Sequence, residues 1–228
     1  VNSYLSAIGV FYGLTIGLVA VATWENFTTV DDQVSHEVAS LAALYRDVSG
    51  FPEPTRGKLV AMLREYVDYL IDVTWPAQRK GQKPEPSANR IGEFERTLIG
   101  YEPGTEGQRL LHQESLRQYN TLVELVRLRL NSLGSGLPAV LWGVLYAGAV
   151  LTIIPTFFLS LRSLALHLIL TAILAGLIGM LVFLILSMDE PFRGDAGIGP
   201  DGFEQLRAII TRFEAANAGV AVVTGEQP

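Results

Sequence analysis

The residues that could do chemistry are few and scattered. His36, His112 and His167 fall in three separate helical stretches, without the close spacing of a zinc or catalytic site. The chain holds no cysteine, which removes thiolate metal ligation, a thiol nucleophile and a disulfide framework. It contains no G-x-S-x-G elbow, Walker loop, H-E-x-x-H helix or dinucleotide fingerprint. Asp189, Glu190, Asp195, Asp201 and Glu204 lack the compact oxygen-ligand spacing that calcium needs, so they read as a solvated, turn-rich exit from an apolar segment. His167 stands in an apolar segment, where an ionisable group is a functional candidate. It also lies within about a turn of Arg162, which makes it interfacial. These residues describe a protein that is not an enzyme and that needs no metal or cofactor.

One stretch keeps its interest. Residues 1–27 are apolar, carry no charge before Glu25, and are long enough to cross a bilayer. Gly9, Gly13 and Gly17 recur every four residues, so a helix gathers them on one face. Such a face lets another helix approach closely, or it lines a narrow path. Ile8, Phe11, Tyr12 and Thr15 lie about a turn apart on adjoining faces. They are either lipid-facing and packed side chains or, with several copies around one axis, an apolar constriction that gates by dewetting. Glu25, beside Trp24 and Asn26, is a solvated acid or, in a symmetric oligomer, one of a ring of carboxylates at a pore mouth.

The elements that position these residues are set by periodicity. The first membrane helix spans about Ser3 to Trp24, with Trp24 and Phe27 as an interfacial anchor. Val34, Val38, Leu41, Tyr45 and Val48 carry an apolar stripe onward past Asp31, Asp32, Glu37 and Asp47, so the helix continues to Ser49. Gly50, Pro52 and Pro54 break it, and Pro54 suits the first turn of the next helix. That helix has Leu59, Leu63, Tyr66, Val67, Leu70 and Val73 on its apolar face and stops at Trp75-Pro76. Residues 79–88 and 100–107 read as loops around a short helix from Asn89 to Leu98. Thr105 and Gln108 match a capping box for a long helix to Leu133, with Arg117, Arg127 and Arg129 facing water or headgroups.

Pro138 opens a second membrane helix, kinked at Pro155, and Leu164–Met188 forms a third after a turn at Arg162 and Ser163. Ala172, Ala175, Gly176 and Gly179 give the third helix small residues for close packing. Pro200 starts a short amphipathic helix with Phe203, Leu206, Ile210 and Phe213 on one face, and residues 219–228 read as weakly ordered. The organisation is therefore all-α. Residues 1–27 form the first visible transmembrane helix, 28–137 a helical insert, 138–188 a transmembrane hairpin and 189–228 a tail.

Composition agrees. Only 18% of residues are charged, mean hydropathy is +0.31, and the apolar residues are clustered. A net charge of −6 excludes the basic face that nucleic acid requires. Three passes put the insert and the tail on one side, and nearly all Lys and Arg lie there, which favours the cytoplasm and hence an inner-membrane, multi-pass protein.

Several segments resemble the bacterial bestrophin-like membrane proteins. They are the run from Phe11-Tyr12-Gly13 through Trp24-Glu25-Asn26-Phe27, the segment from Asp31 to Asp47, the helix ending at Trp75-Pro76, the stretch from Leu137 to Thr152 and the block from Met188 to Asp195. Phe11-Tyr12, Trp24 to Phe27 and Pro191-Phe192-Arg193-Gly194 are also similar to segments of bestrophins proper. Those are pentameric, mostly anion-selective channels with an apolar neck. The resemblance implies one further membrane helix before Val1. It also implies a homo-oligomer, a pentamer by likeness, in the lipid bilayer, passing ions, more often anions such as chloride, along the first visible helix. Ile8, Phe11, Tyr12 and Thr15 would form or flank the neck, Gly9, Gly13 and Gly17 would pack helices, and Glu25 would sit near the inner mouth. A carboxylate ring there argues for cation or unselective passage. The acids after Phe192 are too sparse to imply calcium gating. The other reading is a non-conducting membrane scaffold or sensor whose cytoplasmic helices bind a partner.

Overall fold

The structure, a computed structural model, describes residues 2–82, 88–158, 163–194 and 197–224. These residues form helices and no strand. In chain order they are α1 (Asn2–Val48), α2 (Thr55–Tyr69), α3 (Trp75–Arg79), α4 (Ala88–Ile99), α5 (Glu106–Asn131), α6 (Ala139–Ile153), α7 (Leu164–Asp189) and α8 (Asp201–Thr224). A wide π turn, Leu70–Thr74, joins α2 to α3, and a tight 3₁₀ stretch, Ile154–Phe158, extends α6. The chain divides into two compact units, Val1–Val30 with Gly134–Pro191, and Asp31–Leu133 with Phe192–Pro228.

In the first unit, α1 packs one side against α6 and α7. Tyr12, Ile16, Leu145, Ile178 and Ile185 form its buried centre, with Val19, Trp142, Leu174 and Val182 partly buried around them. Helices at Ser6–Val48, Ala139–Phe158 and Leu164–Asp189 are long and apolar enough to cross a membrane. Pro155 cannot donate to the carbonyl a turn before it, and the chain there tightens into the 3₁₀ stretch. The Ser163 hydroxyl accepts from the Leu166 amide at 3.4 Å and caps α7. Arg162, read as part of the preceding turn, lies outside the described residues.

The second unit gathers the rest of α1, α2 to α5 and α8 around Leu41, Leu44, Val48, Leu59, Leu63, Leu70, Trp75, Leu98, Leu122 and Phe203. No glycine or proline interrupts α1 between Leu18 and Ser49, and the helix runs through as its stripe predicts. At the start of α5, the Thr105 hydroxyl accepts from the Gln108 amide at 3.2 Å, while the Gln108 side chain accepts from Gly104 at 2.8 Å.

Four sequence expectations need correction, the first being that α8 is not a short helix but runs on to Thr224, into residues read as weakly ordered. Trp75-Pro76 does not stop the helix. The Trp75 amide reaches back to the Leu70 carbonyl, and this wider turn lets Pro76 enter the first turn of α3, where its missing N–H costs nothing. The extra residue turns the side chains of this segment about the helix axis, so Val73 is 48% exposed while Ile71, Thr74 and Trp75 are buried. Arg129 faces the core and not water or headgroups, because a buried carboxylate waits for it there. Phe213, placed on the packed face of α8, is exposed beyond Ile210.

Candidate functional site

α1 presents four sides in the first unit. At about 100° per residue, Tyr12, Ile16 and Thr23 share the side packed on α6 and α7. The Tyr12 hydroxyl donates to the Leu145 carbonyl at 3.1 Å, and its ring lies where a side chain on Gly148 would be. Only glycine at 148 lets α6 approach so closely. Away from this seam, Val10, Leu14, Leu18 and Val21 are exposed, Leu14 by 60%.

The sequence-predicted residues separate. Ile8, Phe11 and Thr15 fall within about 60° of one another on one flank, and Phe11 is 72% exposed. Tyr12 does not join them, since it is committed to α6. The Thr15 hydroxyl donates to the Phe11 carbonyl at 2.8 Å, which satisfies it within its own helix. Gly9, Gly13 and Gly17 lie on the opposite flank, and a Cβ built on any of them meets nothing within 4 Å. Glu25 is exposed fourteen residues, or about two heptads, beyond Phe11 and on nearly the same side. Gly176 and Gly179 on α7 are likewise exposed, with nothing within 4 Å of an added Cβ.

The α6–α7 hairpin that backs α1 is fastened where α6 begins and α7 ends. The Asp189 carboxylate, in the last turn of α7, accepts from the Leu137 amide just ahead of α6 and from the Trp142 indole at 3.3 Å. Trp142 stacks on Tyr146 with ring centroids 5.6 Å apart. His167 sits in the first turn of α7, its amide bonded to the Ser163 carbonyl at 3.1 Å. No group of three or more His, Asp or Glu side chains among the described residues is placed to hold a metal. Asp195, one of the scattered acids, lies outside them.

A second constellation, missed by the sequence reading, lies in the other unit. Arg129 on α5 donates through Nε and Nη2 to the two oxygens of Glu37 on α1, at 2.7 and 3.2 Å, with both side chains fully buried. Its guanidinium sits 5.2 Å over the Trp75 ring. Burial lowers the Arg129 pKa, but the charge and hydrogen bonds of Glu37 outweigh this and hold it above the ordinary arginine value. The Trp75 indole N–H donates to the Ile198 carbonyl at 3.0 Å, and its ring packs on Phe192 and Phe203. Spacing carried the signal. Glu37 falls at core spacing between Val34 and Leu41, and Arg129 follows Leu122 and Val126 at the same intervals. Two opposite charges on two core faces are legible as a buried pair.

The bestrophin-like domain matches residues 1–203. The chain belongs to the bestrophin-like family. Solved structures share the fold of this bestrophin-like chain at low identity. A mutant of a bacterial bestrophin homologue from Klebsiella pneumoniae aligns with a TM-score of 0.66 at 13% identity, covering 99% of this chain and 88% of that one. Another mutant of that homologue gives 0.65 at 12%, covering 92% and 86%. A crystal structure described only as a membrane protein gives 0.68 at 14%, covering 99% and 88%. No curated protein matches the bestrophin-like chain in sequence.

Proposed function

We propose that this chain is a bestrophin-type ion channel in which copies of α1 surround a central pathway. One observation carries the reading: α1 commits a single side to its own chain and leaves the opposite arc, Val10, Leu14, Leu18 and Val21, uncovered and apolar. In a ring of copies that arc faces the axis. The Phe11 flank of one copy then meets the glycine flank of the next, which has room for it. Tyr12 positions the helix and does not line the path. An apolar ring of this kind narrows and dewets a pore. Family resemblance favours a pentamer and anions such as chloride, in an inner membrane, with the insert and tail on the cytoplasmic side. A Glu25 ring opposes anions and argues for cation or unselective passage.

Planar-bilayer recording of the purified oligomer under symmetric chloride tests the proposal. Currents are expected, altered by Leu14→Ala and Phe11→Ala. Silence of the wild type and of both variants, or a monomer in detergent, overturns it. Ile209 and Phe213, exposed on the outer side of α8, favour a second reading, a membrane scaffold that binds a partner through its cytoplasmic helices. A silent, oligomeric protein would support that one.

A further inference from the structure

We infer that the π turn Leu70–Thr74 is a two-register element, a built-in switch in the second unit. The inference is independent of ion conduction. On an uninterrupted α-helix, Val73 and Ala77 fall within about 65° of the centre of the Leu59–Leu63–Tyr66–Val67–Leu70 stripe, while Trp75 falls about 135° away. The α register would therefore bury Val73 and Ala77 and turn Trp75 away from the core.

The structure takes the other register. One extra residue in the turn brings Trp75 and Gln78 inward and turns Val73 out. Gln78 records the strain of this choice. It is 1% exposed, and neither its amide nitrogen nor its amide oxygen finds a hydrogen-bond partner among the described residues. A buried side-chain amide without a partner is disfavoured, as is a large apolar residue left in water.

Two things hold the π register against those losses. Pro76 in a continuous α-helix would press its ring on the Asp72 carbonyl, and the wide turn relieves that clash. Trp75, once inward, gains the Ile198 carbonyl, the Arg129 cation, and the rings of Phe192 and Phe203. The opposing preferences are separable: burial of Val73 and the unpartnered Gln78 amide favour one register, proline and the tryptophan contacts the other. A single-residue slip exchanges them, and in doing so releases Phe192, Ile198 and Phe203 from Trp75. Such a turn is a discrete two-state element of the kind that switching requires.

The chain has no cysteine, so an introduced thiol is the only one present. Val73→Cys and Gln78→Cys in this chain are to be labelled with a water-soluble maleimide. In the otherwise native sequence, Val73→Cys labels at least about tenfold faster, because the minor register holds a tenth of the molecules or less. Adding Pro76→Ala or, separately, Trp75→Phe is expected to speed Gln78→Cys and slow Val73→Cys. Leu70→Cys lies ahead of the slip and stays protected in both backgrounds. An unchanged contrast between Val73→Cys and Gln78→Cys in both backgrounds overturns the switch. So does Leu70→Cys labelling as fast as Gln78→Cys, which would mean that the segment unfolds and does not change register.

Discussion

Two buried carboxylates on α1 behave oppositely, and their partners explain why. Glu37 is matched by Arg129 in a two-point contact. Removing either partner leaves an uncompensated buried charge, so Glu37→Gln or Arg129→Met is expected to cost about 3–5 kcal/mol, while Glu37→Leu with Arg129→Met together restores most of it. A thermal-unfolding double-mutant cycle measures this. Asp47 has no such match. Its Oδ2 is buried without a partner, Arg46 is 3.7 Å away, and burial, with Glu114 nearby, pushes its pKa up. Hydrogen bonding from Arg117 holds Glu114 at about 2, so that neighbour stays negative across the working range. The folded Asp47 therefore keeps its proton to higher pH than the unfolded chain does. Its stabilising contribution is complete below the ordinary aspartate value of about 4 and is lost as pH rises through the raised value. Asp47→Asn should raise the melting temperature at pH 7, and this gain should shrink towards pH 4; a gain independent of pH would refute the assignment.

At the scale of elements, legibility followed the reach of the deciding interaction. The length of α1, the cap at Thr105 and the openings at Pro54 and Pro138 depend on neighbours a few residues away, and the sequence displays them. The π turn does so only in part: Pro76 beside it disfavours the α register locally, but the contacts Trp75 gains come from residues more than a hundred positions along the chain. Arg129 was misplaced for the same reason: its partner is on another helix. On α1, the period revealed a glycine face and a Phe11 face, but only the seat of Tyr12 against Gly148 shows which side is inward. Enlarging that seat should unseat the helix. Gly148→Val is expected to cost about 1–3 kcal/mol by overpacking against the Tyr12 ring, read as a loss of thermal stability, and Tyr12→Ala in the same chain should relieve part of it.

For the whole molecule, the expected measurement is conduction by an assembly. If copies of α1 enclose the pathway, Leu14→Ala widens it and raises single-channel current, and Glu25→Gln shifts the reversal potential towards anions in a chloride gradient. A Glu25→Gln channel with unchanged reversal potential would remove the carboxylate from the mouth. The Asp189 clamp has a consequence of a different kind, for biogenesis. Its carboxylate closes on the amide ahead of α6, and it belongs to the final turn of α7, so the hairpin cannot be fastened until synthesis has passed residue 189. A nascent chain released earlier would present two apolar helices with an open end. Stalled chains ending before Asp189 should be degraded faster by membrane quality control than chains ending just after it, and Asp189→Ala in the longer chain should erase the difference.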